Sequence, residues 1–317
     1  MFRDECRKRG WLCASPSERP SHYMLDGGKL AVPDGDLEAF TNVYFRFVAL
    51  KKERLCAVEL KSPVFRLFFD LDVRFPSSPD ASPARISSAL DLLEVSVHRF
   101  VVDGFFELSP DSKTSWSCRA PPKTEGDAIK HGCHLVFDSV FVNSPIALSL
   151  RSHLLACIDD AFGADDLRPC NEWADVIDDS VYKANGLRML FSGKGRNENR
   201  SYVPRANLSS SSGSRDGSDG SDGSRDGVHV RPLELSPETV QTALRACAIR
   251  TPNAVLTPCI GGEHLVADDP NGHGPRGAVV GQSKDLALYA DALESLRQHL
   301  LPEHRKASFT GVFVTDH

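Results

Sequence analysis

The chain has no CxxC pair and no cysteine–histidine cluster at zinc-finger spacing, although it contains nine cysteines. An odd, scattered set is not a disulfide framework, and reduced, mostly buried thiols in an intracellular protein are expected instead. Cys259 and His264 come nearest to a metal pair, and two ligands do not make a site. Long apolar runs are also missing. With nothing approaching the roughly 18 consecutive apolar residues of a membrane span, no membrane partner is expected. The opening Met1-Phe2-Arg3-Asp4-Glu5-Cys6 mixes both charge signs and is not expected to act as a signal peptide. A phosphate-binding P-loop is absent as well. Six residues separate Gly186 from Gly193 where four are needed, and Gly195 follows Lys194 in place of Ser/Thr. A helicase or ATPase of that kind is excluded.

Positive charge is in short supply. Lys and Arg number 37 against 43 Asp and Glu, a net charge of −6, which argues against a protein that coats nucleic acid. Binding faces can still be local. Residues 183–205 hold Lys183, Arg188, Lys194, Arg196, Arg200 and Arg205 against a single Glu198, the most basic window of the chain. At 317 residues, 41% hydrophobic and 25% charged, the chain is long and apolar enough for a sizeable core in one large domain or two small ones.

The stretch Val64-Phe65-Arg66-Leu67-Phe68-Phe69-Asp70-Leu71-Asp72-Val73 reads as a buried strand that ends in acid. Alternation along a strand puts Asp70 and Asp72 on one face. Paired carboxylates repel and are costly to desolvate unless a cation sits between them. Oxygen ligands of this kind suit Mg²⁺ or Mn²⁺, while two surface aspartates at a strand end are the plain alternative.

Around this strand the pattern predicts a loosely ordered segment 1–22, two short strands about Gly27-Gly28, and a helix capped by Asp36. A strand at 56–60 and a helix from about Ile86 to Val101 follow. Next come a strand at 134–142 and a helix capped by Ser144 and started by Pro145. Residues 206–229 are low complexity and read as a flexible loop, and 230–317 as a mainly helical extension with helices at 236–250 and 286–300. Strands alternating with helices and hairpins indicate an α+β fold with a mixed or antiparallel sheet, its main unit spanning 23–205.

Three further pieces carry possible chemistry. In Lys130-His131-Gly132-Cys133-His134, cations and a close-approaching backbone are placed to meet a phosphate, although a lone histidine at a strand start is more often structural. Asp178-Asp179 follows an apolar pair and is either a third carboxylate or a turn. Leu187-Arg188-Met189-Leu190-Phe191-Ser192-Gly193-Lys194 is a basic strand and turn.

Taken in order, Phe68-Phe69-Asp70-Leu71-Asp72, Gly132-Cys133-His134 and Ile177-Asp178 resemble the three motifs of the archaeo-eukaryotic primase superfamily. Val181-Tyr182, the Arg188 strand and Ser192-Gly193-Lys194 are similar to its PrimPol-like branch, which includes herpesvirus and large-DNA-virus primases. Met24-Leu25-Asp26-Gly27-Gly28-Lys29 is similar to a segment of the large-virus enzymes. The resemblance implies an RRM-like catalytic module beside an N-terminal α/β unit. It makes Asp70, Asp72 and Asp178 the ligands of two Mg²⁺ or Mn²⁺ ions. His134, Lys130, Gly132, Arg188, Lys194 and, more weakly, Lys29 become the nucleotide-binding residues. Implied partners are a DNA template and primer, NTPs or dNTPs and a replicative helicase, in the nucleus or a viral replication compartment.

Two departures stand out. Gly132 replaces a common serine of the second motif, and the zinc module that PrimPol and herpesvirus primases carry after the core is not visible, which bears on de novo priming. Three other readings stay open: an inactive relative serving as a nucleic-acid-binding scaffold, a metal-dependent nuclease, and an α+β domain with chance motifs.

Overall fold

The strand that carries the paired aspartates is the edge strand of the larger of two sheets. The structure, a computed structural model, describes residues 1–15, 17–195, 200–210 and 228–259. The strands are β1 (His22–Met24), β2 (Lys29–Leu30), β3 (Ala57–Glu59), β4 (Phe65–Pro76), β5 (Thr114–Arg119), β6 (Lys123–Glu125), β7 (Ala128–Val142), β8 (Leu187–Arg188), β9 (Val203–Ser210) and β10 (Val228–Pro232). The α-helices are α1 (Phe2–Lys8), α2 (Leu37–Phe45), α3 (Pro83–Gly104), α4 (Ser144–Cys157), α5 (Trp173–Val176), α6 (Ser180–Lys183) and α7 (Pro237–Ala246). The larger sheet runs β10-β9-β5-β7-β4 with β6 paired to β7, and the smaller runs β2-β1-β3-β8. All named pairings are antiparallel, which makes the fold α+β.

β4 begins buried on both faces, with Phe65, Leu67, Phe68 and Phe69 all sealed from solvent. Its pairing with β7 slips between Arg66 and Phe68, a bulge of the kind that re-aims side chains. From Phe69 onward the strand alternates. Leu71, Val73 and Phe75 point into the core, and Asp70, Asp72 and Arg74 lie on the half-buried face.

Helix α3 covers the core face. Its N-terminus is set by the Ser82 hydroxyl, which accepts from the Arg85 amide, and by Pro83 in the first turn. Ile86, Leu90, Leu93, Val97, Phe100 and Val101 form its buried stripe, each stabilising by about 1.5–3 kcal/mol when fully buried. From the same helix His98 meets the Ser115 hydroxyl at 2.8 Å and stacks on Phe137. Burial lowers its pKa to about 4, so it is a neutral core histidine. The opposite face carries Asp70, Asp72, Gly132 and His134 beside the buried Phe68, Val136 and Cys118.

The smaller sheet closes over an aromatic cluster. Residues 1–22, expected to be loose, instead form α1 and bury Phe2, Cys6 and Trp11. Phe2 and Trp11 meet Phe40, Tyr44 and Phe47 edge to face at 5.6–6.1 Å. A few large apolar residues suffice to anchor a segment that is polar on average. Gly186 lies where β8 meets β3, and a Cβ there would stand 2.1 Å from the Glu59 carbonyl oxygen, so only glycine fits.

A strap at 247–259 ties the two sheets. The Ile249 and Arg250 amides donate to the buried Glu59 carboxylate at 2.8 and 3.1 Å. The Arg66 amide donates to Ile249 O and the Thr257 amide to Phe141 O, both at 2.9 Å.

Several expectations are corrected. Asp36 does not cap α2; its carboxylate accepts from the Trp11 indole at 2.8 Å. Asn143, not Ser144, caps α4 by accepting from Ile146 N. The loop expected at 206–229 is narrower, because β9 extends to Ser210 and β10 begins at Val228 with those two residues paired. The helix expected at 236–250 is α7, capped by Ser236. The one expected at 286–300 lies outside the described residues. Among the described residues none of the nine cysteines is joined in a disulfide. Among the described residues no helix is long and apolar enough to cross a membrane.

Candidate active site

The register of β4 against β7 assembles the site. Asp70 lies opposite His134, Asp72 opposite Gly132, and Arg74 opposite Lys130. Alternation therefore puts Asp70, Asp72, Lys130, Gly132 and His134 on one face. His134 Nε2 stands 3.4 Å from Asp70 Oδ1, and Lys130 Nζ reaches diagonally to Asp72 Oδ2 at 2.6 Å. Burial pushes the Asp70 carboxyl upward, but His134, Arg188 and Lys130 outweigh it and hold the group below its ordinary value. Asp70 is thus an anion fixed in a positive setting.

Asp178 comes beside Asp70 through the main chain. Ile177 bridges to Leu71 along the otherwise free edge of β4, and the Asp178 amide donates to Asp70 O at 3.0 Å. Arg151 of α4 fixes this turn by donating from Nε to Ile177 O at 2.7 Å. Asn171 continues the edge, donating to Asp72 O and accepting from Arg74 N, both at 2.9 Å. The Asp178 carboxylate accepts from the Ser180 amide and hydroxyl, each at 2.8 Å. Its neighbour Asp179 pairs with Lys183 at 2.7 Å.

Arg188, on β8, extends its guanidinium over the Tyr202 ring at 4.6 Å and donates to Arg200 O. Lys194 is exposed beyond the buried Ser192. Lys29 lies at the far edge of the smaller sheet, over the Tyr23 ring. Three strand spacings separate β2 from β8, about 14 Å. The described cations of the basic window turn to different partners. Lys183 pairs with Asp179, and Arg200 donates to Pro121 O. Arg205, the extra residue where the β5–β9 register shifts, turns to Asp91 of α3. Arg196 lies outside the described residues. His131, which sequence grouped with Lys130, faces the core against Phe75, and burial lowers its pKa to about 4.

Sequence reasoning missed Tyr202. It is buried just ahead of β9, stacks on His134 with ring centroids 3.4 Å apart, and donates to Asp70 Oδ1 at 3.4 Å. The available signal was Gly132, since an isolated glycine in a strand marks close approach of another group.

As a donor set, Asp70 and Asp72 offer carboxylate oxygens on one face. Among the described residues no three His, Cys, Asp or Glu side chains converge as a ready-made cage. A hard cation that binds through one or two carboxylates and completes its shell with water and substrate phosphates fits this arrangement. The ammonium of Lys130 already seated on Asp72 shows the face attracts positive charge.

Comparison with protein families gives a match over residues 21–207 to the model described as the C962R protein N-terminal AEP domain. The chain belongs to the archaeo-eukaryotic primase superfamily, in its viral branch. Comparison with curated proteins gives no match. Membership makes it a primase/polymerase-like nucleotidyltransferase at the level of the family, with nucleic acid and nucleotides as the substrate classes. Domains of this superfamily generally depend on divalent metal. The matched stretch contains both sheets' contributions to the site, from β1 and β2 through Tyr202 and the start of β9.

Proposed function

We propose that the chain is the catalytic domain of a DNA-templated primase-polymerase, joining (d)NTPs to a primer end. The observation that carries this reading is the β4–β7 register, which sets Asp70 and Asp72 on one face with His134 and Lys130 across from them. Asp70 and Asp72 are the metal carboxylates, and Asp178 completes the set by turning from Ser180. Two divalent ions bound there would activate the attacking 3′-hydroxyl and neutralise the leaving pyrophosphate. His134, Lys130 and Arg188 supply donors to the triphosphate, as charge-assisted bonds to phosphate are short and strong. Gly132 lies between Lys130 and His134 on the same face and belongs to this group. Lys194 is exposed and free to approach the same phosphates from the turn after β8, and Lys29 has the weakest claim.

The test is primer extension on a templated DNA oligonucleotide with Mg²⁺ or Mn²⁺, dNTPs and NTPs being supplied separately. The expected result is metal-dependent extension by the parent and none by Asp70→Ala/Asp72→Ala. Template binding with no extension by the parent would instead favour an inactive scaffolding relative. Shortening of the primer without added nucleotide would favour a nuclease.

A further inference from the structure

We propose that Tyr202 is a positioning residue of this site, holding the Asp70 carboxylate and the His134 ring, and that position 132 is glycine in order to admit the Tyr202 hydroxyl. The proposal rests on the reading of Asp70 and Asp72 as metal carboxylates given above. Three groups with assigned roles converge on this one phenol. His134 stacks on its ring at 3.4 Å, Arg188 lies over the ring at 4.6 Å, and Asp70 Oδ1 accepts from its hydroxyl. Asp70 Oδ1 is also the oxygen that His134 Nε2 faces, so phenol and imidazole hold the same atom while stacked on each other.

Packing alone does not account for the hydroxyl. A phenylalanine would fill the same space, yet the chain buries a phenol against a carboxylate. Position 132 supplies a second, independent observation. A Cβ built on Gly132 would lie 2.6 Å from the Tyr202 hydroxyl oxygen, and the ring is too buried to step aside. Glycine weakens a strand interior, so its place opposite Asp72 has a local cause, which is the approach of this side chain. Tyr202 reaches the site because β9 pairs with β5 and β5 with β7, setting the start of β9 across from Arg119 and Cys133. Carboxylates that bind metal are themselves held by hydrogen-bond partners, whose removal typically costs 10–100-fold in metal affinity or activity.

The experiment is Mn²⁺ binding to the full chain, followed by the electron paramagnetic resonance signal of free Mn²⁺, with Asp70→Ala/Asp72→Ala defining the site. Tyr202→Phe is expected to weaken Mn²⁺ binding by about tenfold or more with Tm close to the parent's. Gly132→Ala should weaken it similarly. In the Tyr202→Phe background Gly132→Ala should cost less than in the parent, because the 2.6 Å clash with the hydroxyl is gone and only the contacts of 3.2 and 3.3 Å to the ring carbons Cζ and Cε1 remain, and such non-additivity is the mark of a shared contact. Parental Mn²⁺ affinity in both single variants, or losses that multiply in the double variant, would overturn the assignment of Tyr202 while leaving the metal site standing. A parent with no Mn²⁺ site dependent on Asp70 and Asp72 would overturn the functional reading itself, and this assignment with it.

Discussion

The two faces of the larger sheet carry the same kinds of residue and put them to opposite uses. On the α3 face, Arg119 donates from Nε to Glu94 and from Nη2 to Asp91, both at 2.6 Å, and Arg205 pairs with the same Asp91. The Cys133 thiol adds a bond to Glu94 Oε1 at 2.9 Å, and Glu94 is buried. Asp91 and Glu94, both on α3, thus each have a guanidinium partner at 2.6 Å. On the other face, among the described residues, Asp70 has only the 3.4 Å approaches of His134 and Tyr202, and Asp72 has a single ion-pair partner, the Lys130 ammonium at 2.6 Å. Clusters of acids and bases are therefore not informative by composition. What separates a structural network from a candidate site is how completely its oxygens are satisfied.

That difference can be broken from either side. The largest effect on stability is expected from Arg119→Ala, which leaves Glu94 buried without its guanidinium. Removing one partner of a buried pair typically costs about 3–5 kcal/mol, and denaturant unfolding would read it. Glu59→Gln should be next. One amide oxygen cannot accept from both Ile249 N and Arg250 N as the carboxylate does, and a buried donor left unmade costs about 1–3 kcal/mol.

Glu59 also fixes a sign with pH. Burial, only partly offset by its amide donors and by Arg250 and Arg66, raises its pKa from 4.5 to about 6. The folded state therefore binds this proton more readily than the unfolded state, and its contribution grows as pH falls through 6 toward 4.5. Glutamine does not titrate, so the Tm gap between parent and Glu59→Gln should be wider at pH 5 than at pH 7.5.

Asp70→Ala should change stability by less than about 1 kcal/mol, in line with substitutions away from satisfied networks, even as it removes activity. A large drop in Tm would erase the contrast between the faces. The smallest effect is expected from replacing residues 211–227 with a short Gly/Ser turn. Ser210 and Val228 are already paired, and shortening a loop changes closure entropy by only about 0.6 kcal/mol per halving. Tm and activity should both stay near the parent's.

How far the sequence could be read follows from range. The period-2 pattern after Phe69 places Asp70 and Asp72 on one face, and Ser82-Pro83 and Ser236-Pro237 mark the starts of α3 and α7. These signals are local. Tyr202 is invisible for the opposite reason, since it meets Asp70 across 132 positions and only through the β9–β5–β7 pairings. The Glu59 clasp on residues 249–250 and the burial of Phe2 and Trp11 are equally non-local. Asp36 looks like a helix cap by residue type, but the Trp11 indole takes its carboxylate first. Charge along the chain says nothing about faces: within the basic window Arg205 turns to Asp91 and Lys183 to Asp179.

The most direct measurement is templated incorporation of a single nucleotide with Mn²⁺, comparing Asp70→Ala/Asp72→Ala with Asp91→Ala, each below its own Tm. The account predicts incorporation abolished in the first variant and retained in the second, since Asp91 sits on α3 and pairs with Arg119 and Arg205 on the other face of the sheet. Incorporation at the parental rate by Asp70→Ala/Asp72→Ala would contradict it.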